Sequence, residues 1–398
     1  MKKVISVLIV GLMLLASANT VMAADDNLDI EKVAIQSLKN SQDIQSVNRQ
    51  VALMQKYYAD ITAAANSTRN GLRYLNSYQA VEFIVLKPME VQNSLTIFTN
   101  LQFVTTNAVR LSSYKAYIGL LKANYALTIQ KGLMDSLDAD YKKAQQQLSL
   151  GMISQSQLRL SEIAYLKSQY RYDSSQEGVN SASMSISNMM GEDLAKQYTL
   201  QDNNITPSAQ IKSLNDYVNL ALGNRAEIVN AQNTLDTKKK EFEYGKSEMP
   251  TDFQFYVQKQ QYAIDSAQND LDLAKMNVQL DITNNYKTLE YAMKTMETMK
   301  DLDDQATFNY QTAQVQYDNS QITLKDLGDA KVAKATADVN YKNAELDAWL
   351  AQTMMDRACS SGFQPANILS ALSSSSSSSS SSKNNLNPPE KPDRGNSR

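Results

Sequence analysis

The sequence contains no histidine and a single cysteine, Cys359, among its 398 residues. This excludes catalysis by Ser/His/Asp or Cys/His groups, zinc sites built from His and Cys, haem ligation through His, and disulfides within the chain. Glycine and proline are scarce, with 12 and 7 residues, so few positions can break a helix. The 39 Lys and Arg residues are balanced by 42 Asp and Glu, and no large basic block indicates nucleic-acid binding. We expect no cofactor, and only carboxylates remain as candidates for chemistry.

Long apolar runs are also lacking, except at the N-terminus. Lys2 and Lys3 precede the apolar segment Val4–Ala16, and Val21-Met22-Ala23 has the small residues that a signal peptidase recognises. Residues 1–23 therefore predict a secretory signal peptide and an exported protein of the cell envelope. An uncleaved anchor is the alternative.

The C-terminal end has a composition that cannot form a core. Ten consecutive serines, Ser373–Ser382, are followed by a segment with Pro388, Pro389 and Pro392. Segments of this kind bury too little apolar surface to fold. We therefore predict a disordered tail over residues 363–398.

Between these ends, apolar residues recur every three or four positions, which is typical of one helix face. From Thr251 to Leu327 the chain has no Gly and no Pro. The apolar face of this stretch carries Leu271, Ala274, Val278, Ile282, Tyr286, Leu289, Met293 and Met296. Methionines at this spacing favour packing between helices over a metal-binding cluster. The sequence predicts an all-α, coiled-coil type of fold with little or no β-structure.

The chain also matches itself after two different shifts. The first shift aligns Leu38, Asn40, Asp43, Ile44 and Val51 of the opening segment with Leu222, Asn224, Glu227, Ile228 and Leu235. The second, smaller shift aligns Tyr141, Ala144, Gln145, Ile153, Ser154, Leu158 and Tyr172 with Tyr310, Ala313, Gln314, Ile322, Thr323, Leu327 and Tyr341. A repeat this long is typical of a duplicated domain half. We expect residues 24–362 to form one duplicated helical domain, with copies at about 28–200 and 211–362.

Helix lengths predict how each copy folds. In the second copy an opening helix (213–245), a central helix (251–318) and a last helix (323–359) are about 50, 100 and 55 Å long at about 1.5 Å per residue. The two shorter helices can lie end to end along the central one, giving long antiparallel hairpins. Helices this long need lateral partners. The hairpin turns fall at two four-residue segments, Leu150, Gly151, Met152, Ile153 and Asn319, Ser320, Gln321, Ile322.

These features resemble the TolC-like outer membrane efflux protein family. The resemblance rests on the Asn of each opening helix that precedes an acid and Ile, on the turn Gly151-Met152-Ile153-Ser154, and on residues 310–329. It implies a homotrimer in which three duplicated chains form a periplasmic α-barrel of twelve helices under a twelve-stranded β-barrel in the outer membrane. It also implies export of small molecules or proteins, with a periplasmic adaptor (a membrane fusion protein) and an inner-membrane pump docked at the helical tips.

The places where this family inserts two strands per copy are short in this sequence. The second copy offers Asp252–Val257, and the first offers Val81–Leu86 and Leu95–Phe98, all compatible with strands or with the start of a helix. A membrane-spanning strand needs about 9–11 alternating residues, and four such segments are not found. We therefore expect the helical part of the family with the membrane strands reduced or missing. A periplasmic or extracellular location then stands beside the outer membrane.

The resemblance further implies the residues of the conduit. Asp326 and Asp329 are implied to line its narrow entrance, as rings that favour cations. Tyr317 falls on the aperture tyrosine of the family, whereas Ile322 stands where the family has the partner arginine, so this chain lacks one of the two residues of the family's closing link. The two hairpin turns are implied to dock the adaptor. Without the resemblance, two acids at a helix start are explained by the helix dipole.

Three functions are compatible with these observations. An export conduit or adaptor-docking component is favoured. A secreted helical scaffold or binding protein that has lost the pore is the alternative, and the missing strands support it. An enzyme such as a carboxylate-pair glycosidase is least favoured, because the acids are spread along helix surfaces.

Overall fold

The computed structural model describes residues 27–69, 77–201, 205–248, 250 and 252–369. The predicted signal peptide and the Ser-rich part of the predicted tail lie outside these residues. The described part is almost entirely helical, as the sequence predicted. Its β-structure is one parallel pair of two-residue strands, β1 (Asn27–Leu28) and β2 (Thr199–Leu200).

Two sets of helices follow one another along the chain. The first set comprises α1 (Ile30–Asn40), α2 (Gln42–Arg69), α3 (Ser77–Val81), a π-helical turn (Glu82–Leu86), α4 (Lys87–Ser149) and α5 (Gln155–Met190). The second set comprises α6 (Leu214–Asn224), α7 (Ala226–Ser247), α8 (Phe253–Asp318) and α9 (Leu324–Cys359). In each set a long central helix, α4 or α8, runs beside two shorter opening helices and one last helix.

The opening segment of each copy consists of two helices, separated by the residue that follows an asparagine. In the second copy the sequence predicted a single helix over 213–245. The backbone is extended at Ser41 between α1 and α2, and at Arg225 between α6 and α7. The side-chain amide of Asn40 donates to the carbonyl of Met190, the last residue of α5. The amide of Asn224 donates to the carbonyl of Cys359, the last residue of α9, at 3.4 Å. The same capping bond therefore closes both copies.

The two copies lie side by side, because α4 packs against α9 and α7 of the second copy. Leu133 and Leu137 of α4 form an apolar cluster with Ala335 of α9. A β-carbon at Gly328 would lie 3.6 Å from a methyl group of Leu137, which shows how closely the two helices approach. Ion pairs continue this contact, with Lys122 of α4 bound to Asp347 of α9.

The three segments considered as strands in the sequence are helical. Residues 81–86 form the last residue of α3 and the π-helical turn, and Leu95 and Phe98 lie in α4. Leu95, Ile97 and Phe98 pack against a buried cluster that includes Val47 and Leu101. In the second copy, Asp252 caps α8 by accepting the N–H of Phe255 at 3.1 Å. Among the described residues, none of the helices combines the length and apolarity needed to cross a membrane.

The predicted tail begins too early at residue 363. Residues 365–369 are helical, Phe363 packs against the core of the second copy, and Ile368 is 1% exposed in the cluster around Leu101. The tail prediction is wrong here because Phe363 and Ile368 pack against buried apolar residues, which composition alone does not show. The folded part extends at least to Leu369.

Candidate functional site

The first hairpin turn is built around a glycine in the left-handed conformation. Gly151 has a φ of 71°, a region that suits glycine because other residues are strained there. Its N–H donates to the carbonyl of Leu148 at 2.9 Å, and the N–H of Met152 donates to Gln147 at 2.8 Å, as at a helix C-terminus. Leu150 and Met152 are 74% and 68% exposed, while Ile153 is half-buried. The tip therefore presents two large apolar side chains to solvent.

The second hairpin turn repeats this geometry at the matching point of the second copy. Ser320 has a φ of 60°. Among the described residues other than glycine, it is the one with a positive φ. Its N–H donates to Tyr317 at 2.8 Å, and the N–H of Gln321 donates to Gln316 at 2.8 Å. Asn319, Ser320 and Gln321 are exposed and Ile322 is half-buried. This tip is polar where the first one is apolar.

Both last helices begin with a reciprocal capping arrangement. At α5, Ser154 accepts the N–H of Gln157 at 3.2 Å, and the Gln157 side chain accepts the N–H of Ser154 at 2.7 Å. At α9, Thr323 accepts the N–H of Asp326 at 3.2 Å, and the Asp326 carboxylate accepts the N–H of Thr323 at 3.0 Å. This arrangement satisfies N–H groups that a helix start leaves free. Asp326 is thus the N-terminal cap partner of α9.

The carboxylates at the second tip both have partners, although both are exposed. The hydroxyl of Thr323 also donates to Asp326 at 2.7 Å, and the Thr323 hydroxyl and N–H together lower the pKa of Asp326. Asp329 lies one turn further and pairs with Lys325; the two side chains are 67% and 55% exposed. Asp326 therefore faces its own helix start, whereas Asp329 faces solvent beside a cationic partner of the same helix.

Tyr317 lies at the contact between the two copies. The ammonium of Lys143, on α4, is 4.9 Å from the centre of the Tyr317 ring, on α8. A cation at this distance from a ring face is attracted by its π-electrons. The structure therefore gives Tyr317 a lysine partner within the same chain.

One ion pair near the tips was missed by sequence reasoning. Lys331 of α9 binds Asp140 of α4 at 2.6 Å, and the two side chains are only 11% and 17% exposed. It fixes the relative position of the two hairpins close to their turns. The sequence holds no signal for it, because the two residues are far apart in the chain and belong to different copies.

Several solved structures share this fold. CusC, whose crystal structures concern folding and transmembrane channel formation, has a TM-score of 0.61 and 11% identity, over 84% of this chain and 92% of that one. The outer membrane protein VceC from Vibrio cholerae has a TM-score of 0.58 and 10% identity, over 84% and 97% of the two chains. The CmeC outer membrane channel of Campylobacter jejuni has a TM-score of 0.55 and 12% identity, over 87% and 89%.

These similarities confirm the predicted TolC-like fold. Identities this low show the fold alone. No protein-family model matches the sequence, and no curated protein matches it.

Proposed function

We propose that this chain is one subunit of a homotrimeric export conduit in the cell envelope. The observation that carries the proposal is the pair of matching hairpin turns, at Gly151 and Ser320. They have the same backbone conformation and hydrogen bonds, and they are held near each other by the contact between α4 and α9. The similar structures include the outer membrane protein VceC and the outer membrane channel CmeC, which supports transport and an envelope location.

Exposed apolar side chains on the two outer helices support self-association. α5 packs mainly on α4, and α8 packs mainly on α9 and α7, so each of these two helices leaves a flank without a neighbour in the described part of the chain. The α5 flank carries Leu160, Ile163, Leu166 and Tyr170, all at least 45% exposed. The α8 flank carries Leu273, Met276, Leu280, Tyr291, Leu302 and Phe308, all at least 53% exposed.

Exposed apolar surface of this extent is typical of interaction sites. Because the two flanks differ, joining the α5 flank of one chain to the α8 flank of the next chain gives a head-to-tail contact, and such contacts form a ring when the rotation between neighbouring chains closes. We propose a trimer for this ring. Mass measurement of the purified mature protein tests it, and a strict monomer at working concentrations would contradict the closed conduit.

Under this proposal the tips dock a periplasmic adaptor that connects to an inner-membrane pump. Leu150 and Met152 at the first tip provide the apolar contact, and Asn319 and Gln321 provide polar contacts at the second. The entrance is lined by Asp329, by Asp326 at the start of α9, and by Tyr317. The two acids differ in their partners: bonds from Thr323 lower the pKa of Asp326 and so favour its charged form, whereas the charge of Asp329 is paired with that of Lys325.

The docking test compares two substitutions at one position. Gly151→Ala imposes the backbone strain of a β-carbon at positive φ without adding bulk, since nothing lies within 4 Å of that carbon. Gly151→Trp imposes the same strain and adds a large side chain. We expect Gly151→Trp to reduce capture of the adaptor strongly and Gly151→Ala to retain it. Equal capture by both variants and the wild type would contradict docking at this tip.

The entrance test separates charge from folding. Asp326→Ala with Asp329→Ala removes both acids, whereas Thr323→Ala weakens the same helix cap and keeps both charges. In export assays or conductance measurements, we expect the double variant to change cation block or cargo passage. Thr323→Ala should behave like the wild type. The same response in both variants would assign the effect to the cap of α9.

The scaffold function is the second candidate, and one observation favours it. The segments that the TolC-like family uses for membrane strands are helical in this chain where the structure describes them. In that case the protein is a secreted helical binding protein, the mature chain is a monomer, and none of the tip and entrance variants alters transport.

A further inference from the structure

A buried arginine joins the elements that meet at the break between α6 and α7. The Arg225 side chain is only 1% exposed. Its Nη2 and Nε donate to Glu227 at 2.6 and 3.0 Å, and its Nη1 donates to Asp281 at 2.6 Å and to the carbonyl of Ala358 at 3.2 Å. A guanidinium removed from water needs such acceptors. Arg225 therefore occupies a cation site that the chain itself fills.

The first copy has the counterpart of this site without the arginine. Two sequence shifts relate the copies. The first shift aligns Arg225 with Ser41 and Glu227 with Asp43. The second shift aligns Asp281 with Ser112 and Ala358 with Met189. The second shift holds along the central helices, because it also aligns Leu120 with Leu289, both fully buried. An acid is thus retained at position 43, and the long cationic side chain is replaced by serine.

A cavity of about 610 Å³ lies where the arginine is missing. All four counterparts, Ser41, Asp43, Ser112 and Met189, line it. Asp43 is the one charged residue among the described residues that form its wall. The apolar part of the wall comes from α2, α4 and the segment after α9, and includes Val47, Leu101, Val109 and Leu369. The volume lies within the range of about 300–1,000 Å³ typical of small-molecule sites.

A buried hydroxyl in the same wall has no partner. Ser37 is 2% exposed and lines the cavity, and its Oγ makes no hydrogen bond within the described part of the chain. Its counterpart under the first shift is the fully buried Ala221. The copy that holds its own arginine thus has no hydroxyl here, and the copy with the cavity has one. Buried polar groups without a partner are rare, so the two copies differ at this position as well.

We propose that this cavity binds a small organic cation that carries a guanidinium group on an apolar body. Asp43 takes the role that Glu227 has for Arg225, and pairs with the guanidinium. The hydroxyl oxygen of Ser112, at the position of Asp281 in the second copy, accepts one of its remaining N–H groups. Val47, Leu101 and Val109 contact the apolar body. This site is separate from the hairpin tips and does not depend on the conduit.

The experiment is calorimetric titration of the full mature chain with benzylguanidinium, and with benzylurea as a neutral probe of similar shape. We expect saturable binding of benzylguanidinium at one site per chain, and binding of benzylurea at least tenfold weaker. Asp43→Asn should weaken benzylguanidinium binding at least tenfold. Asp60→Asn, the same change at an exposed position of the same helix, should leave it unchanged.

A second variant places the chain's own guanidinium in the cavity. Ser41→Arg recreates the residue of the second copy, and it should abolish probe binding by occupying the site. Asp43 is exposed, so Asp43→Asn tests the proposal even where Ser41→Arg fails to fold. The proposal is overturned by absence of saturable binding, by equal affinity for benzylurea, or by wild-type affinity in Asp43→Asn.

Discussion

Ser320 adopts the left-handed backbone conformation that Gly151 adopts at the equivalent turn of the first copy, with φ values of 60° and 71°. Both residues reverse the chain between a central and a last helix. A side chain in this conformation costs about 1–2 kcal/mol relative to glycine, because its β-carbon approaches the following carbonyl oxygen. The second copy thus retains the turn and carries a strain that the first copy lacks.

Exchanging these turn residues should change stability in opposite directions. We expect Ser320→Gly to raise the free energy of unfolding by about 1 kcal/mol, and Gly151→Ala to lower it by about 1 kcal/mol. Gly132→Ala is the control, since Gly132 lies in the middle of α4 with nothing within 4 Å of an added β-carbon. It should raise stability by about 0.5–1 kcal/mol. Urea unfolding followed by circular dichroism measures the free energy of unfolding of all three variants. A change of the same sign for Gly151→Ala and Gly132→Ala would contradict the turn geometry.

Replacing the buried Arg225 should lower the free energy of unfolding strongly. Arg225→Met leaves Glu227 and Asp281 without their cation, and removing one partner of a buried ion pair costs about 3–5 kcal/mol. Arg159→Met is the matched change on the surface, because Arg159 is 69% exposed and pairs with Glu162. Its expected cost is below about 1 kcal/mol. A similar loss of stability for the two variants in thermal unfolding would show that the ion pairs of Arg225 do not stabilise the structure around the α6–α7 break.

The cap of α9 should give a pH-dependent contribution to stability. Bonds from Thr323 lower the pKa of Asp326 in the folded chain. Its contribution is therefore present above the pKa of the unfolded chain, and it is lost as pH falls through the folded pKa. Thr323→Ala removes the capping hydroxyl and should cost about 1 kcal/mol at pH 7, with a smaller cost at pH 3. An equal cost at both pH values would contradict this assignment.

A pair of acids between α8 and α9 should have the opposite pH dependence. Burial, followed by a hydrogen bond with Asp338, raises the pKa of Asp303 to about 6. Protonation therefore favours the folded chain, and this contribution is lost as pH rises from about 4 to about 6. Asp303→Asn should raise the melting temperature at pH 7.5 more than at pH 4. Asp301→Asn, at an exposed position of the same helix, is the control and should show no such difference.

Patterns that are local or repeated predicted most of the fold and the position of the candidate tips. The central helix predicted at 251–318 is observed at Phe253–Asp318, and the last helix predicted at 323–359 is observed at Leu324–Cys359. Both turns occur where the self-match placed them, because glycine at 151 and the alignment of Ile322 with Ile153 mark the same point in each copy. Roles of the tip and entrance residues in docking and transport stay predictions.

Contacts between distant segments were beyond the reach of these patterns. Short apolar runs such as Val81–Leu86 suit a strand or a helix equally well, and neighbouring helices decide between them. Phe363 and Ile368 were assigned to the tail because composition does not show which residues find buried surface. The direction of the Asp326 carboxylate, toward the start of its own helix, depends on backbone geometry at Thr323.

The sequence by itself determined that the chain is a duplicated set of long helices, because helical periodicity and the near absence of Gly and Pro are properties of neighbouring residues. Only the tertiary structure decided what the two copies do differently. The same positions enclose the guanidinium of Arg225 in one copy and a cavity beside Ser41 in the other. That difference depends on contacts among segments that are distant in sequence. The free energy of such contacts is set by burial and charge pairing, and local conformational preference does not determine it.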